Sequence, residues 1–155
     1  MATKPIPEGY HAISPALTID GAAEAIEFYK RAFGAIERSR MPMPDGKIAH
    51  AEIEIGDSIV MLSDPFPQSP VKAPKELGGT TVSLFLYVED VDSVVQDAID
   101  AGATVTRPVE DQFWGDRFGT VADPFGHHWG IATHKEDLTP DEIAERSREA
   151  MASMG

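Results

Sequence analysis

The sequence predicts an α+β protein made of two βαβββ modules followed by a C-terminal helix. Three observations carry this. Strand-period and helix-period patterns alternate twice in the same order. The two copies stay in register when Ile19 is laid on Val88, a shift of 69 positions that also lays Asp20 on Glu89. A proline-rich stretch with Pro65, Pro67, Pro70 and Pro74 separates them. Self-similarity at a fixed spacing marks a duplicated unit. The boundaries are residues 9–64 for the first module, 65–79 for the connector, 80–134 for the second module and 139–153 for the terminal helix.

Each element follows from its own pattern. His11 to Ile19 alternates and is rich in β-formers, so it is read as the first strand. From Gly21 to Phe33 the period changes. Ala22, Ala25, Ile26, Tyr29 and Phe33 share one helical face, Glu24, Glu27, Lys30 and Arg31 the other, and Gly34 supplies the C′ glycine. Strands are expected at Ile36–Met41, Ile48–Ile55 and Ser58–Ser63, with turns at Pro44-Asp45-Gly46 and Gly56-Asp57. The second module repeats the order. A strand covers Thr81–Val88, and a helix Asp90–Ala101 puts Val91, Val94, Val95, Ala98 and Ile99 on one face before Gly102. Strands follow at Thr104–Val109, Arg117–Ala122 and His128–Thr133. In the tail, Thr139 as N-cap, Pro140 in the first turn and Glu142 three residues after the cap form a capping box. The apolar stripe of that helix, Ile143, Ala150, Met151 and Met154, is thin, which suits docking on a neighbouring surface.

Composition narrows the class. A chain of 155 residues, 42% hydrophobic and 25% charged, suits one well-cored soluble domain. The net charge of −13 opposes nucleic acid and anionic membranes as partners, because both are met by positive surfaces. No apolar run approaches a membrane span, and the N-terminus lacks the pattern of a secretory signal. With no cysteine there is no disulfide framework, thiolate metal site or cysteine nucleophile, and a cytoplasmic location is expected.

The segment Asp111–Trp129 concentrates Trp, Phe, His and Arg around glycines, as the lining of a small-molecule pocket does, and its DPFG step reads as a turn between strands. Together with the helix AAEAIEFYKRAFGA, the segment MPMPDGKIAHAEIEIGDSIVML and the step LYVEDVDSVVQDAIDAGA, the closing DPFGHHWGIATHKED resembles the vicinal oxygen chelate superfamily. The resemblance covers residues 9–138 and is closest to the glyoxalase/bleomycin-resistance-like, PhnB-like branch. It implies the fold shared by glyoxalase, bleomycin resistance protein and dihydroxybiphenyl dioxygenase, in which paired half-barrels enclose a cavity. It also implies a homodimer, with modules paired within one chain or across two. Activity stays open, because the superfamily holds lyases, dioxygenases, epimerases and metal-free binding proteins.

In the enzymes of that superfamily four His, Glu or Gln ligands hold a divalent metal, one from the first and one from the last strand of each module. Carried onto this chain, the slots fall on Ser14, Ser83, Gly130 and a residue of Ser58–Leu62. That set lacks the nitrogen and carboxylate donors such ions take, so no cofactor is expected. A lyase or dioxygenase with displaced metal ligands is the alternative, and His50, Glu52 and His128 are its only plausible ligands. The expected ligand pocket comprises Ser14, His50, Glu52, Ser83, Phe85, Trp114, Arg117, His128 and Gly130, and the expected partner is a small organic molecule. His50, Glu52 and Glu54 alternate, either as a solvated strand face or as an acid/base lining of the cavity. Arg117 either holds a ligand carboxylate or phosphate or pairs with Asp111, Asp116 or Asp123. Trp129 has the opposite parity from Gly130 and is expected in the core.

Overall fold

A computed structural model describes residues 2–154. Strand β1 (Ala16–Thr18) leads into helix α1 (Ala22–Phe33) and strands β2 (Ile36–Pro42), β3 (Ile48–Ile55) and β4 (Ser58–Ser63). After a one-turn helix α2 (Pro74–Leu77), the order repeats as β5 (Ser83–Tyr87), α3 (Val91–Ala101), β6 (Thr104–Asp111), β7 (Asp116–Ala122) and β8 (His128–His134). Helix α4 (Pro140–Met154) ends the chain. The sheets have the orders β1-β4-β3-β2 and β5-β8-β7-β6, with the first strand of each module parallel to its last. This is the α+β architecture of paired half-barrels.

The duplication is visible bond by bond. Ala16, Leu17 and Thr18 pair with Met61, Leu62 and Ser63, while Phe85, Leu86 and Tyr87 pair with Gly130, Ile131 and Ala132. The 69-residue shift carries the first ladder onto the second. It also carries a helix-anchoring contact: the Ala22 N–H donates to Asp64 Oδ1, and the Val91 N–H donates to Thr133 Oγ1. The third strands depart by one residue, since Glu52 faces Met61 whereas Thr120 faces Gly130.

Local chemistry explains the boundaries. β1 is shorter than the alternating stretch from His11, because Pro15 lacks an N–H and only its carbonyl joins the ladder, accepting from Met61 N. Gly21 has no capping side chain, so buried Asp64 serves instead, accepting from Gly21 N and Ala22 N and, with its other oxygen, from Ile48 N. Asp90 caps α3 through the Ser93 N–H, and Thr139 and Glu142 form the expected reciprocal capping box. The connector is not wholly irregular, since Pro74 opens α2 and Gly78 closes it. β6 continues past Pro108 because it is an edge strand with register breaks there, where a missing donor costs no ladder bond.

One core joins the modules. α1 lies on β2 and β3, α3 lies on β6, β7 and β8, and the two helices pack on each other. Tyr29 and Phe33 of module one meet Trp129 of module two at ring-centroid distances of 5.4 and 4.7 Å, and Phe28 meets Phe125 at 6.2 Å. Trp129 is 3% exposed, a core residue as its parity predicts. The Tyr29 hydroxyl also donates to Asp123 in the DPFG turn, and a ring N–H of His127 donates to the Thr18 carbonyl. Each sheet therefore has a helix-covered face and an open face, and its first strand is a free edge.

Candidate functional site

Alternation assigns the open face of module one. Ala51, Ile53 and Ile55 are buried under the helix side, so His50, Glu52 and Glu54 point the other way. Glu52 is the centre of this face. Its carboxylate accepts from the Tyr10 hydroxyl and lies 2.8 Å from His50 Nε2. Glu54 is engaged by Arg38. Met61 faces Glu52 across the ladder with Ala16 beyond it on β1, and His50 borders a hollow of about 220 Å³ with Thr18, Met61, Ser63 and Phe66. Tyr10 precedes β1 in a segment without periodicity, so nothing in the sequence marks it.

The open face of module two is aromatic. Phe85 and Phe118 reach over Gly130 from the strands on either side and stack, with ring centroids 5.4 Å apart and planes 6° apart. Tyr87 adjoins Phe85 at 5.0 Å, and Trp114 stands edge-on to Phe118 at 5.8 Å. Phe85 is 52% and Tyr87 60% exposed, so two large rings face outward. At the far end Asp116 is buried. It accepts from the Tyr87 hydroxyl at 3.0 Å and the Trp114 indole N–H at 3.2 Å, with His134 Nδ1 2.8 Å from its other oxygen. Burial, then the bond to Asp116, raises the Tyr87 phenol above its ordinary value. His134 escaped the sequence reading and Asp116 entered it only as a possible partner of Arg117, although both share the parity of Phe118 and Gly130.

The four metal slots resolve into Ser14, Met61, Ser83 and Gly130, with Met61 the ladder equivalent of Gly130. Two hydroxyls, a thioether and a glycine are a poor donor set for a hard divalent ion. Space argues the same way at Gly130, where a Cβ would meet Phe118 Cε1 and Phe85 Cδ2 at 3.0 Å. His128 does not join His50 and Glu52. It lies on the other sheet opposite Ser83, and among the described residues no group of three or more His, Asp or Glu side chains could hold a metal ion.

The expected pocket residues thus divide into two sets: Ser14, His50 and Glu52 with module one, and Ser83, Phe85, Trp114, His128 and Gly130 with module two. For Arg117 the structure shows the salt-bridge reading, with Asp111 among its partners. Arg117 pairs across to Thr133 with helix-side parity, and its guanidinium forks onto Asp92 of α3 at 2.7 and 3.0 Å and also reaches Asp111. Asp92, an unforeseen partner, is held below the usual carboxylate range by that bond. Arg117→Ala is accordingly expected to leave the binding of an apolar fluorescent probe unchanged in a fluorescence titration. A cleft of about 1400 Å³ runs between the free edges of β1 and β5, bordered by Ile13, Val71, Leu77, Val82 and Phe85. It does not include His50 or Glu52.

Comparison with known proteins gives concordant matches. The family model for the Glyoxalase/Bleomycin resistance protein/Dioxygenase superfamily matches residues 11–131. The Mycobacterium tuberculosis (strain ATCC 25618 / H37Rv) protein Rv0887c is 49% identical over 147 residues, covering 93% of this chain and 84% of that one. The crystal structure of the Arabidopsis thaliana gene product At5g48480 superposes with a TM-score of 0.66 at 28% identity, over 79% of this chain and 98% of that one. The PhnB protein of Bacillus cereus shares the fold with a TM-score of 0.64 at 19% identity, over 79% and 99% of the two chains.

Proposed function

Since the chain belongs to the Glyoxalase/Bleomycin resistance protein/Dioxygenase superfamily, we propose that it binds a small organic molecule with a flat apolar part, without the metal its enzymatic relatives use. The observation that carries this is the pair of rings over Gly130. The position that would hold a metal-binding carboxylate instead supports the Phe85–Phe118 stack. Stacked rings with Tyr87 and Trp114 beside them offer π-faces to a planar ligand. Asp116 has both oxygens engaged within the protein and none directed to a ligand. Polar contacts come from the other half of the site, through His50 and Glu52.

The site is completed by a second copy. The open faces of the two modules do not meet on one pocket within the chain, β1 and β5 have unpaired edges, and Ile13 (87% exposed), Val82 (67%) and Phe85 (52%) line the cleft between them. Exposed edges and apolar side chains in one continuous zone are features of an interface. A two-fold homodimer in which module one of each copy faces module two of the other closes both sites at once. The proposal includes a cytoplasmic location, for which a chain without cysteine is suited.

Titration with the neutral fluorophore N-phenyl-1-naphthylamine tests the binding face. Saturable binding is expected in the parent protein, and Phe85→Ala should weaken it about tenfold, the worth of one aromatic contact of ~1.4 kcal/mol. Light scattering after size exclusion should give twice the 16.8 kDa chain mass. Stoichiometric metal in protein purified without chelator, or saturable stabilisation by Ni, Mn, Fe or Zn, would overturn the metal-free reading in favour of the alternative with displaced metal ligands.

A further inference from the structure

The C-terminal end of β8 holds a cluster that ligand binding alone does not explain. His134 lies between two carboxylates, with Nδ1 2.8 Å from Asp116 Oδ1 and Nε2 2.8 Å from Asp137 Oδ1. The chain then turns back over the β6–β7 hairpin. The N–H groups of Lys135 and Glu136 both donate to the Gly115 carbonyl, at 2.8 and 3.0 Å. The fit is close, since a Cβ on Gly115 would lie 2.6 Å from the Glu136 carbonyl oxygen. From α4, Arg146 donates to Glu136 at 2.7 Å and to the Phe113 carbonyl at 3.5 Å. Tail and α4 are therefore seated on the hairpin that carries Trp114.

We propose that His134 is a proton-operated latch, tying the C-terminal segment and α4 to this hairpin as an imidazolium and, through Asp116, orienting Tyr87 and Trp114 in the binding face. An imidazolium has two N–H groups and satisfies both carboxylates, whereas neutral imidazole has one. The Asp116 side chain is 3% exposed, while Asp137 is fully exposed. A buried carboxylate that loses a donor costs more than a hydrated one, so the single N–H stays with Asp116. The bare nitrogen then faces the Asp137 carboxylate, two acceptors with no proton between them, and the tail contact opens.

The surroundings set the direction. His134 faces Asp116 on β7, Asp137 on the tail, and the Tyr87 hydroxyl on β5 through their common partner Asp116. Lys135 and the Glu136–Arg146 pair adjoin it along the chain, and Asp111 lies within electrostatic reach of Glu136. The bonds to Asp116 and then Asp137 raise the His134 pKa above the ordinary imidazole value. A raised pKa means that the contact is fully made below the ordinary histidine range and is lost as pH rises through the raised value.

The regulatory half of this proposal rests on the binding face described above, and the test separates the two. Histidine ring signals and the two tryptophan indole N–H signals are followed by NMR across pH in the whole chain, with His134→Gln and Trp114→Phe for assignment. His134 should titrate above the ordinary histidine range, and the Trp114 indole should move with the same midpoint. Hydrogen exchange in α4, corrected for the intrinsic rate, should lose protection about fivefold or more above that midpoint, the low end of ordinary coupling between sites. Asp137→Asn should remove the pH dependence of α4 protection and leave the Trp114 signal in place. Asp116→Asn keeps an acceptor for Tyr87 and Trp114 but should lower the His134 midpoint and make the indole signal independent of pH. Unchanged α4 protection across the His134 titration, or an indole signal that ignores it, overturns the latch. N-phenyl-1-naphthylamine affinity should change about fivefold at the same midpoint. Constant affinity overturns the link to binding. Absence of probe binding at every pH overturns the binding-face reading and leaves the latch to be decided by exchange and NMR.

Discussion

Replacing Asp123 by alanine is expected to remove about 3–5 kcal/mol of stability, measured by urea unfolding, which is a large part of what a domain of this size has. Asp123 is 5% exposed and accepts four hydrogen bonds. Two come from the turn itself, from Phe125 N at 2.9 Å and His127 N at 3.0 Å. The others come from Trp129 Nε1 at 3.0 Å and from the Tyr29 hydroxyl of α1. Alanine leaves these donors facing an apolar interior, and a buried donor without a partner costs more than the bond was worth. Because Tyr29 belongs to module one, the same change loosens the join between modules. Tyr29→Phe removes one bond with its donor and should cost about 1 kcal/mol. An alanine variant as stable as the parent would show that the turn carries no such weight.

Tyr29 also gives this join a pH signature. Burial, then the charge and hydrogen bond of Asp123, hold its phenol well above the ordinary tyrosine value. The folded state therefore keeps a proton that the unfolded chain releases near pH 10. Stability from this group is complete below that pH and declines as pH rises above it. Tyr29→Phe should flatten the alkaline limb of the stability profile.

Gly130→Glu, the substitution that would restore a metal-site carboxylate, is expected to destabilise the protein by about 2–4 kcal/mol without creating a metal site. The first Cβ already meets two rings at 3.0 Å, and the carboxylate would have to displace the Phe85–Phe118 stack or be buried among aromatic rings. The other three slots still supply Ser14, Ser83 and Met61. Thermal melts with and without Ni, Mn or Zn are the measurement. A metal-dependent rise in the variant's melting temperature would mean that the site had been misjudged.

Much of the fold was legible because it is written in local periods. Alternation at Ala51, Ile53 and Ile55 against His50, Glu52 and Glu54 is a statement about one strand, and burial follows it residue by residue. The candidate site was legible only in part. The same alternation sets Phe118 and Thr120 on the open face and Arg117, Gly119 and Val121 on the helix face, and applying it would have taken Arg117 out of the pocket. A basic residue among aromatics beside glycine resembles a ligand contact, yet it forks onto Asp92, 25 residues away on α3, and also reaches Asp111. Tyr10 and Glu52 are 42 residues apart and share no pattern.

The sequence by itself determined the two-module order and the 69-residue register. Each of these depends on residue identity and on the direction a side chain takes along its own strand. Only the tertiary structure decided that two phenylalanines close over Gly130, that Asp116 gathers Tyr87, Trp114 and His134, and that Asp123 binds the modules through Tyr29. The reason is one of range. Backbone period records which face a residue occupies, but which group meets it there depends on how separate elements pack, and no local pattern encodes that.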